Sequence, residues 1–350
     1  MKILVFISKL HGGGAERVAS ILLNHLCKQH NVTVAVFDDR KSYTIDERVK
    51  IVNISAGAKI RPYQLNRIVK CRKAIITLKP DLIISFMVDL NRFVIIANLC
   101  TNIKLIVSEH ITLQTKQSLI RKITRHILYK LATKVTLLTK SDYNHAKWLN
   151  NKVIINNPLD MEISSNHLMR ETNIIAIGPQ NRWNGKGFDL LIQAWSKIAT
   201  SHPDWKLQFV GANNDNYIYD FAKSYGLENQ IVFLGWTNEI DKVLQTKSIY
   251  VLSSRREGFP CSLIEAMSQG CACVAFDCKT GPNEIITDGK SGLLARNGDI
   301  NDLASKLQLL IEDETLRKKL SAGAMEEVKR LDKELIMKQW DELIRLTINS

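Results

Sequence analysis

Glu257 and Glu265 stand eight residues apart in the run Ser254-Arg-Arg-Glu257-Gly-Phe-Pro-Cys-Ser-Leu-Ile-Glu265-Ala-Met-Ser-Gln-Gly270. Ile249-Tyr-Val-Leu252 before them reads as a buried strand. Leu263, Ile264, Ala266 and Met267 give a following helix its apolar face, and Gly270 stops it. The unit is therefore strand, tight turn, helix. Backbone amides from Phe259 to Leu263 are expected to be free at that helix N-terminus, which makes it a place for phosphate. Helical spacing turns Glu265 inward beside such a ligand, while Glu257 stays in the loop at the carboxyl end of the strand. An anion site flanked by two hydroxyl-binding carboxylates suits a sugar nucleotide. The plainer alternative is an N-cap carboxylate followed by a solvated helix Glu.

Further loops have chemistry-bearing residues. Leu10-His-Gly-Gly-Gly-Ala-Glu16-Arg17 follows the first strand and opens the first helix, so a ligand can approach the backbone at Gly13 and Gly14. It lacks the spaced third Gly of a dinucleotide fingerprint, and Asp38 and Asp39 run into Arg40 rather than ending a strand cleanly. Gly178-Pro-Gln-Asn-Arg182-Trp-Asn-Gly-Lys186-Gly187 is a second Gly loop, with two cations. Leaving-group charge needs cations or a metal, and no Asp-x-Asp has a convincing strand-end setting, so metal-independent chemistry without a cofactor is expected. His110 closes Val107-Ser108-Glu109-His110 at a strand end. It either orients a substrate, offering its carbonyl to positive charge at an anomeric carbon, or is an ordinary solvated side chain. Gly235-Trp236-Thr-Asn238 follows another strand, and Asn238 also reads as the cap of a short helix over 239–245.

The run Glu257-Gly-Phe-Pro-x-x-x-x-Glu265-Ala-Met-x-x-Gly, followed by Gly281-Pro-Asn-Glu284-Ile-Ile and Gly289-x-x-Gly292-Leu-Leu, resembles the C-terminal half of a retaining GT-B glycosyltransferase of family four. The resemblance extends over nearly the whole chain and is most specific from Gly178 to Leu294. It implies an α/β fold of two Rossmann-like, doubly wound domains facing a central cleft. It also implies that Glu257 lies near the transferred sugar and Glu265 at the nucleotide ribose, with Gly258, Phe259, Pro260, Cys261, Ser262 and Leu263 along the donor. Gly13-Gly14-Ala-Glu-Arg is similar to the family loop that closes over donor and acceptor. Lys186 matches the diphosphate-clamping Lys; Arg182 stands closer to it than the family pattern has its Arg, with Pro179 and Gln180 where Gly-Arg is usual. Gly235, Trp236 and Asn238 fall in the loop at the nucleotide base. The implied catalytic set is Glu257, Lys186, Arg182 and His110.

Charge narrows the partners. Residues 1–160 hold 26 Lys and Arg against 10 Asp and Glu, and the remainder holds 22 against 25. The basic excess belongs to the first half alone, so an anionic partner is expected there. A run with Leu119, Ile120, Ile123, Ile127, Leu128 and Leu131 at helical spacing has Lys116, Arg121, Lys122, Arg125, Lys130 and Lys134 between them. It reads as one helix over 116–134, either packed on a sheet with a solvated basic face or docked on an anionic membrane. No aromatic-basic interleaving points to nucleic acid.

No stretch approaches eighteen uninterrupted apolar residues, and the first residues read as a β-strand rather than a signal peptide, so a cytoplasmic protein is expected. The seven cysteines follow no disulfide or zinc spacing; Cys271 and Cys273 fit an apolar strand as core thiols.

Strand and helix patterns alternate throughout. Strands are expected at 2–8, 31–37, 81–85, 104–108, 134–138 and 152–155, then near 173–178, 205–210, 230–234, 248–252 and 272–276. Helices are expected over 15–30, 61–79, 301–311, 316–331 and 334–348, besides the 116–134 segment. Asn156-Asn-Pro158-Leu-Asp160 reads as the linker. The expected division is an acceptor domain over 1–157, a nucleotide-sugar domain over 158–333, and a final helix over 334–350 that crosses back, with Trp340, Leu343 and Leu346 as its packed face. The implied reaction moves a hexose or N-acetylhexosamine from a nucleotide-diphosphate sugar, UDP-linked by family habit, to a polyprenyl-diphosphate or other lipid-linked acceptor at the inner membrane face. A soluble transferase with a small acceptor and a GT-B-like sugar-nucleotide epimerase remain as alternatives.

Overall fold

A computed structural model describes residues 1–55, 63–164, 170–213 and 217–350. They form two compact units, Met1–Pro158 with Lys333–Ser350, and Leu159–Asp332.

The first unit is a parallel sheet of seven strands: β1 (Lys2–Phe6), β2 (Asn31–Val36), β3 (Lys50–Asn53), β4 (Leu82–Phe86), β5 (Lys104–Ser108), β6 (Lys134–Leu137) and β7 (Lys152–Ile154). Their spatial order is β3-β2-β1-β4-β5-β6-β7. The near-continuous apolar runs have the composition of strands covered on both faces, and β4 is buried at all of its positions. The expected helix over 61–79 is seen as Tyr63–Leu78; its first two residues lie outside those described. The final helix, Lys333–Asn349, is part of this unit, with Trp340 6.3 Å from Phe86 between ring centroids. Its buried face is Ile336, Met337, Trp340, Leu343 and Ile344, whereas Leu346 is exposed, contrary to the sequence expectation.

The 116–134 segment departs further from expectation. Its α-helix is only Leu119–His126, followed by a 3-10 turn over Leu128–Leu131. Its polarity is also reversed. Leu119, Ile120, Ile123, Ile127 and Leu131 face solvent, while Thr124 and Arg125 are buried. The reason lies underneath. Glu109 accepts from Arg125 Nε at 2.9 Å and from the Tyr129 hydroxyl at 2.9 Å, and Arg125 Nη2 donates to the Ile111 carbonyl at 3.1 Å. Arg121 adds a paired contact to Asp89. Arg125 therefore belongs to no solvated basic face.

The second unit is a parallel six-stranded sheet: β8 (Glu171–Ile177), β9 (Lys206–Val210), β10 (Ile231–Gly235), β11 (Lys247–Leu252), β12 (Ala272–Asp277) and β13 (Leu293–Arg296), in the order β10-β9-β8-β11-β12-β13. Ile249 pairs with Ile174 and Tyr250 with Ile175 across β11 and β8. The chain order reverses between these two neighbours, and loops from the carboxyl ends of such strands diverge to leave a ligand crevice. The unit has its own core around Phe188, Trp195, Phe209, Val274 and Leu307.

Both units are Rossmann-like and doubly wound. No described helix is long and apolar enough to cross a membrane.

Candidate functional site

Three loops leave the carboxyl ends of β8, β11 and β12, adjacent strands of the second sheet, and side chains bind them to one another. Arg255, after β11, reaches the β8 loop. Its two terminal nitrogens donate to the Asp189 carboxylate at 2.7 and 2.6 Å, its backbone amide donates to the Gly185 carbonyl at 3.1 Å, and it also bonds the Asn184 carbonyl. Ser253 Oγ donates to the Lys186 carbonyl at 2.9 Å. From the β12 side, Thr280 Oγ1 donates to the Glu257 carbonyl at 2.7 Å, and Cys278 Sγ to the Ser254 carbonyl at 2.9 Å. Gly187 is required where the first two loops meet. Its φ is +65°, and an added Cβ would lie 1.9 Å from the Ser253 carbonyl oxygen.

Within that frame Lys186 Nζ lies 2.9 Å from Glu257 Oε1. Lys186 is 21% exposed and Glu257 13% exposed, so the pair is sheltered yet reachable. An anion arriving at Lys186 competes with Glu257, and a Glu257 released from it can accept hydrogen bonds from hydroxyls. Arg182 lies in a 3-10 turn (Gln180–Arg182) of the same loop and is exposed.

Glu265 is buried in the helix Cys261–Ser268, which follows the Glu257 loop. The N-terminus of that helix differs from expectation. Pro260 has no N–H, and the Leu263 amide already donates to the Pro260 carbonyl at 3.2 Å, so the amides from Phe259 to Leu263 do not form an open set. Ser262 is held from below, accepting from the buried Tyr250 hydroxyl at 2.8 Å. Gly258 lies in the turn, and Phe259 and Leu263 are buried while Cys261 is partly so.

Gly235 ends β10, at the far edge of the same sheet, and Trp236 and Asn238 follow it. Gly235 has φ +67°, and Trp236 is exposed. The short helix is Ile240–Gln245, with Glu239 rather than Asn238 at its N-cap position. Thr237 Oγ1 accepts from the Glu239 amide at 3.0 Å, so the capping reading of Asn238 does not hold.

Gly13, Gly14 and His110 belong to the first unit. The helix Gly14–Leu26 starts with Gly13 as its N-cap, and a Cβ there would lie 2.2 Å from Glu16 Oε2. The helix's own carboxylate thus sits over its first turn, where negative charge is favoured. His110 stacks on Phe86 with centroids 5.3 Å apart, and its Nε2 is 3.0 Å from Ser108 Oγ. Burial pushes its pKa down to about 4, so the ring is neutral at pH 7. Thr136 Oγ1 donates to Ser108 Oγ at 2.8 Å, leaving the Ser108 proton for His110 Nε2. His110 is thus no solvated surface residue.

All seven cysteines are free thiols. Burial pushes Cys271 up to about 12, and Cys278 likewise.

Comparison with known proteins decides the family. Residues 162–327 match the model described as "Glycosyl transferases group 1", and residues 12–162 match "Glycosyltransferase Family 4". The chain is a GT-B glycosyltransferase of the family-four type. The transferase is 27% identical to the amylovoran biosynthesis glycosyltransferase of Erwinia amylovora, over 98% of this chain and 99% of that one. It is also 27% identical, over 98% of each chain, to the Campylobacter jejuni protein named "GalNAc-alpha-(1->4)-GalNAc-alpha-(1->3)-diNAcBac-PP-undecaprenol alpha-1,4-N-acetyl-D-galactosaminyltransferase". Its fold is that of S. aureus TarM, solved as a variant with UDP, Fondaparinux and alpha-GlcNAc-glycerol (TM-score 0.81, 16% identity, all of both chains).

Sequence reasoning about the transferase missed the Lys186–Glu257 pair and the Arg255–Asp189 brace. The paired residues lie 71 and 66 positions apart in the chain, and no local spacing announces them.

Proposed function

We propose that the enzyme is a retaining, metal-independent transferase that moves a hexose or N-acetylhexosamine from a UDP-sugar to a lipid-linked saccharide in surface-polysaccharide assembly. In this reading it acts as a peripheral protein at the inner face of the cytoplasmic membrane. The observation that carries it is the sheltered Lys186–Glu257 pair at the β8/β11 crossover, braced by Arg255 and Asp189.

The chemistry follows from charge. The donor diphosphate takes Lys186 from Glu257, with Arg182 beside it on the same loop, so negative charge building on the leaving phosphate meets fixed cations. Glu257, freed of its partner, accepts hydrogen bonds from hydroxyls of the sugar, and Glu265 from those of the ribose. Neither Glu is a covalent nucleophile. The acceptor hydroxyl attacks on the face the leaving phosphate vacates and gives its proton to that phosphate; the anomeric configuration is kept. Support for a lipid-linked acceptor comes from the C. jejuni relative's printed substrate, and support for UDP from the ligand of TarM.

A thermal-shift panel of UDP, GDP, ADP and CMP sugars tests the donor, since a ligand of the native state raises its stability by mass action. The UDP sugars are expected to give the largest shift. NMR of the new linkage is expected to show the donor's anomeric configuration, and inversion would overturn the assignment.

A further inference from the structure

We propose that the Leu119–Leu131 segment seats the enzyme on an anionic bilayer by inserting its apolar side chains among the acyl chains. The proposal deepens the lipid-linked-acceptor reading above and rests on it for its biological setting. It rests physically on the reversed polarity of the segment. Leu119 is 72% exposed and Ile127 59%, with Ile120, Ile123 and Leu131 also in solvent, while Arg125 beneath them is 1% exposed.

Loose attachment does not explain this exposure. The segment is held by the buried Arg125–Glu109 pair, by the Tyr129 hydroxyl on Glu109, and by Trp148 Nε1 donating to the Arg125 carbonyl at 3.0 Å. Every polar anchor points inward, so the five apolar side chains are fixed outward. Soluble proteins scatter exposed apolar residues singly, and a contiguous group of them marks an interaction surface. The Tyr63–Leu78 helix adds a second stripe. Leu65, Val69 and Ile76 fall on one side of it at helical spacing and are exposed as well. Both helices pack against the one between them, Val88–Asn98, so the two stripes belong to one helical layer.

Charge chooses the occupant. Lys116, Lys122 and Lys130 rim the apolar group and are exposed, within a half-chain holding 26 basic against 10 acidic residues. A second copy docked face to face would bring two basic rims together. Anionic lipid satisfies both parts, with headgroups for the lysines and the acyl boundary for the isoleucines.

The test is co-sedimentation with vesicles of phosphatidylcholine alone and of an equal mixture with phosphatidylglycerol, at low and high salt. Wild type is expected to favour the anionic vesicles and to stay partly bound at high salt, because salt screens the lysines and not the apolar contact. Ile120→Ser, Ile123→Ser and Ile127→Ser together are expected to lower the partition coefficient by about tenfold or more, and Leu at the same positions to restore it. Lys122→Glu with Lys130→Glu is expected to remove the preference for anionic lipid. UDP-sugar thermal shifts, read in parallel, stay as in wild type in every variant. A serine variant that binds like wild type overturns the proposal. So does a wild-type dimer in sedimentation that the serine variant breaks, which makes the patch an interface between copies. Loss of UDP-sugar binding alongside intact vesicle binding would instead sink the donor reading and leave this one standing.

Discussion

Lys186 is held by the Glu257 carboxylate at 2.9 Å, and on the proposed reading it leaves that partner when a diphosphate arrives. Lys186→Ala is therefore expected to preserve the fold and to lower turnover at saturating donor by roughly a hundredfold or more, as loss of a positioned charge donor does. Excess EDTA is expected to leave wild-type turnover unchanged. Turnover near wild type in the Ala variant, or EDTA inactivation reversed by Mg²⁺, would remove Lys186 from the central role. His110 makes a prediction of another kind. Its pKa is about 4 in the fold against 6.5 unperturbed, so between those values the unfolded chain binds the extra proton and stability falls as pH is lowered. Above about pH 6.5 the ring costs nothing. His110→Gln should flatten the acid-side decline between those pH values in urea melts, and an unchanged slope would mean that some other group causes it.

At the scale of elements, Arg125 is the clearest difference between pattern and structure. Helical periodicity shows that Leu119, Ile120, Ile123 and Ile127 share a side, but not which way that side faces. Only the Glu109 carboxylate, 16 residues earlier, decides it by taking Arg125 inward. Burial works against the Arg125 charge, and the Glu109 carboxylate outweighs that, leaving its pKa raised. Arg125→Met should therefore cost about 3–5 kcal/mol, because it strands a buried carboxylate. Arg125→Met with Glu109→Gln should recover part of that loss in denaturant titrations, and additive losses would refute the coupling. The central strands were legible because their runs are apolar on both faces. β3 and β13, four-residue strands at sheet edges, were missed, although the still shorter edge strand β7 was expected. Gly187 and the Glu257 loop were legible from Gly and Pro alone, since the close approach to Ser253 admits no side chain.

For the whole molecule, the two units close their cores by different routes. Residues 159–332 complete theirs within one continuous stretch, whereas the first unit depends on residues from the opposite end of the chain. Trp340 is fully sequestered beside Phe86, and Ile336, Met337, Leu343 and Ile344 are buried along the same helix. His25, in the first helix of that unit, contacts Asp341 at 2.9 Å. Burying a side chain of this size contributes about 1.5–3 kcal/mol, so five of them together are comparable to the roughly 5–15 kcal/mol that holds an ordinary domain together. A chain ending at Asp332 is therefore expected to lose the cooperative unfolding of its first unit and to expose apolar surface to dye. The second unit, whose core residues all lie within 159–332, should keep its own transition and, on the proposed donor reading, respond to UDP-sugar. Differential scanning calorimetry with and without donor separates the two. Two intact transitions in the truncated chain would mean that the final helix is dispensable to the first unit, and loss of the donor-responsive transition would mean that the second unit cannot stand alone.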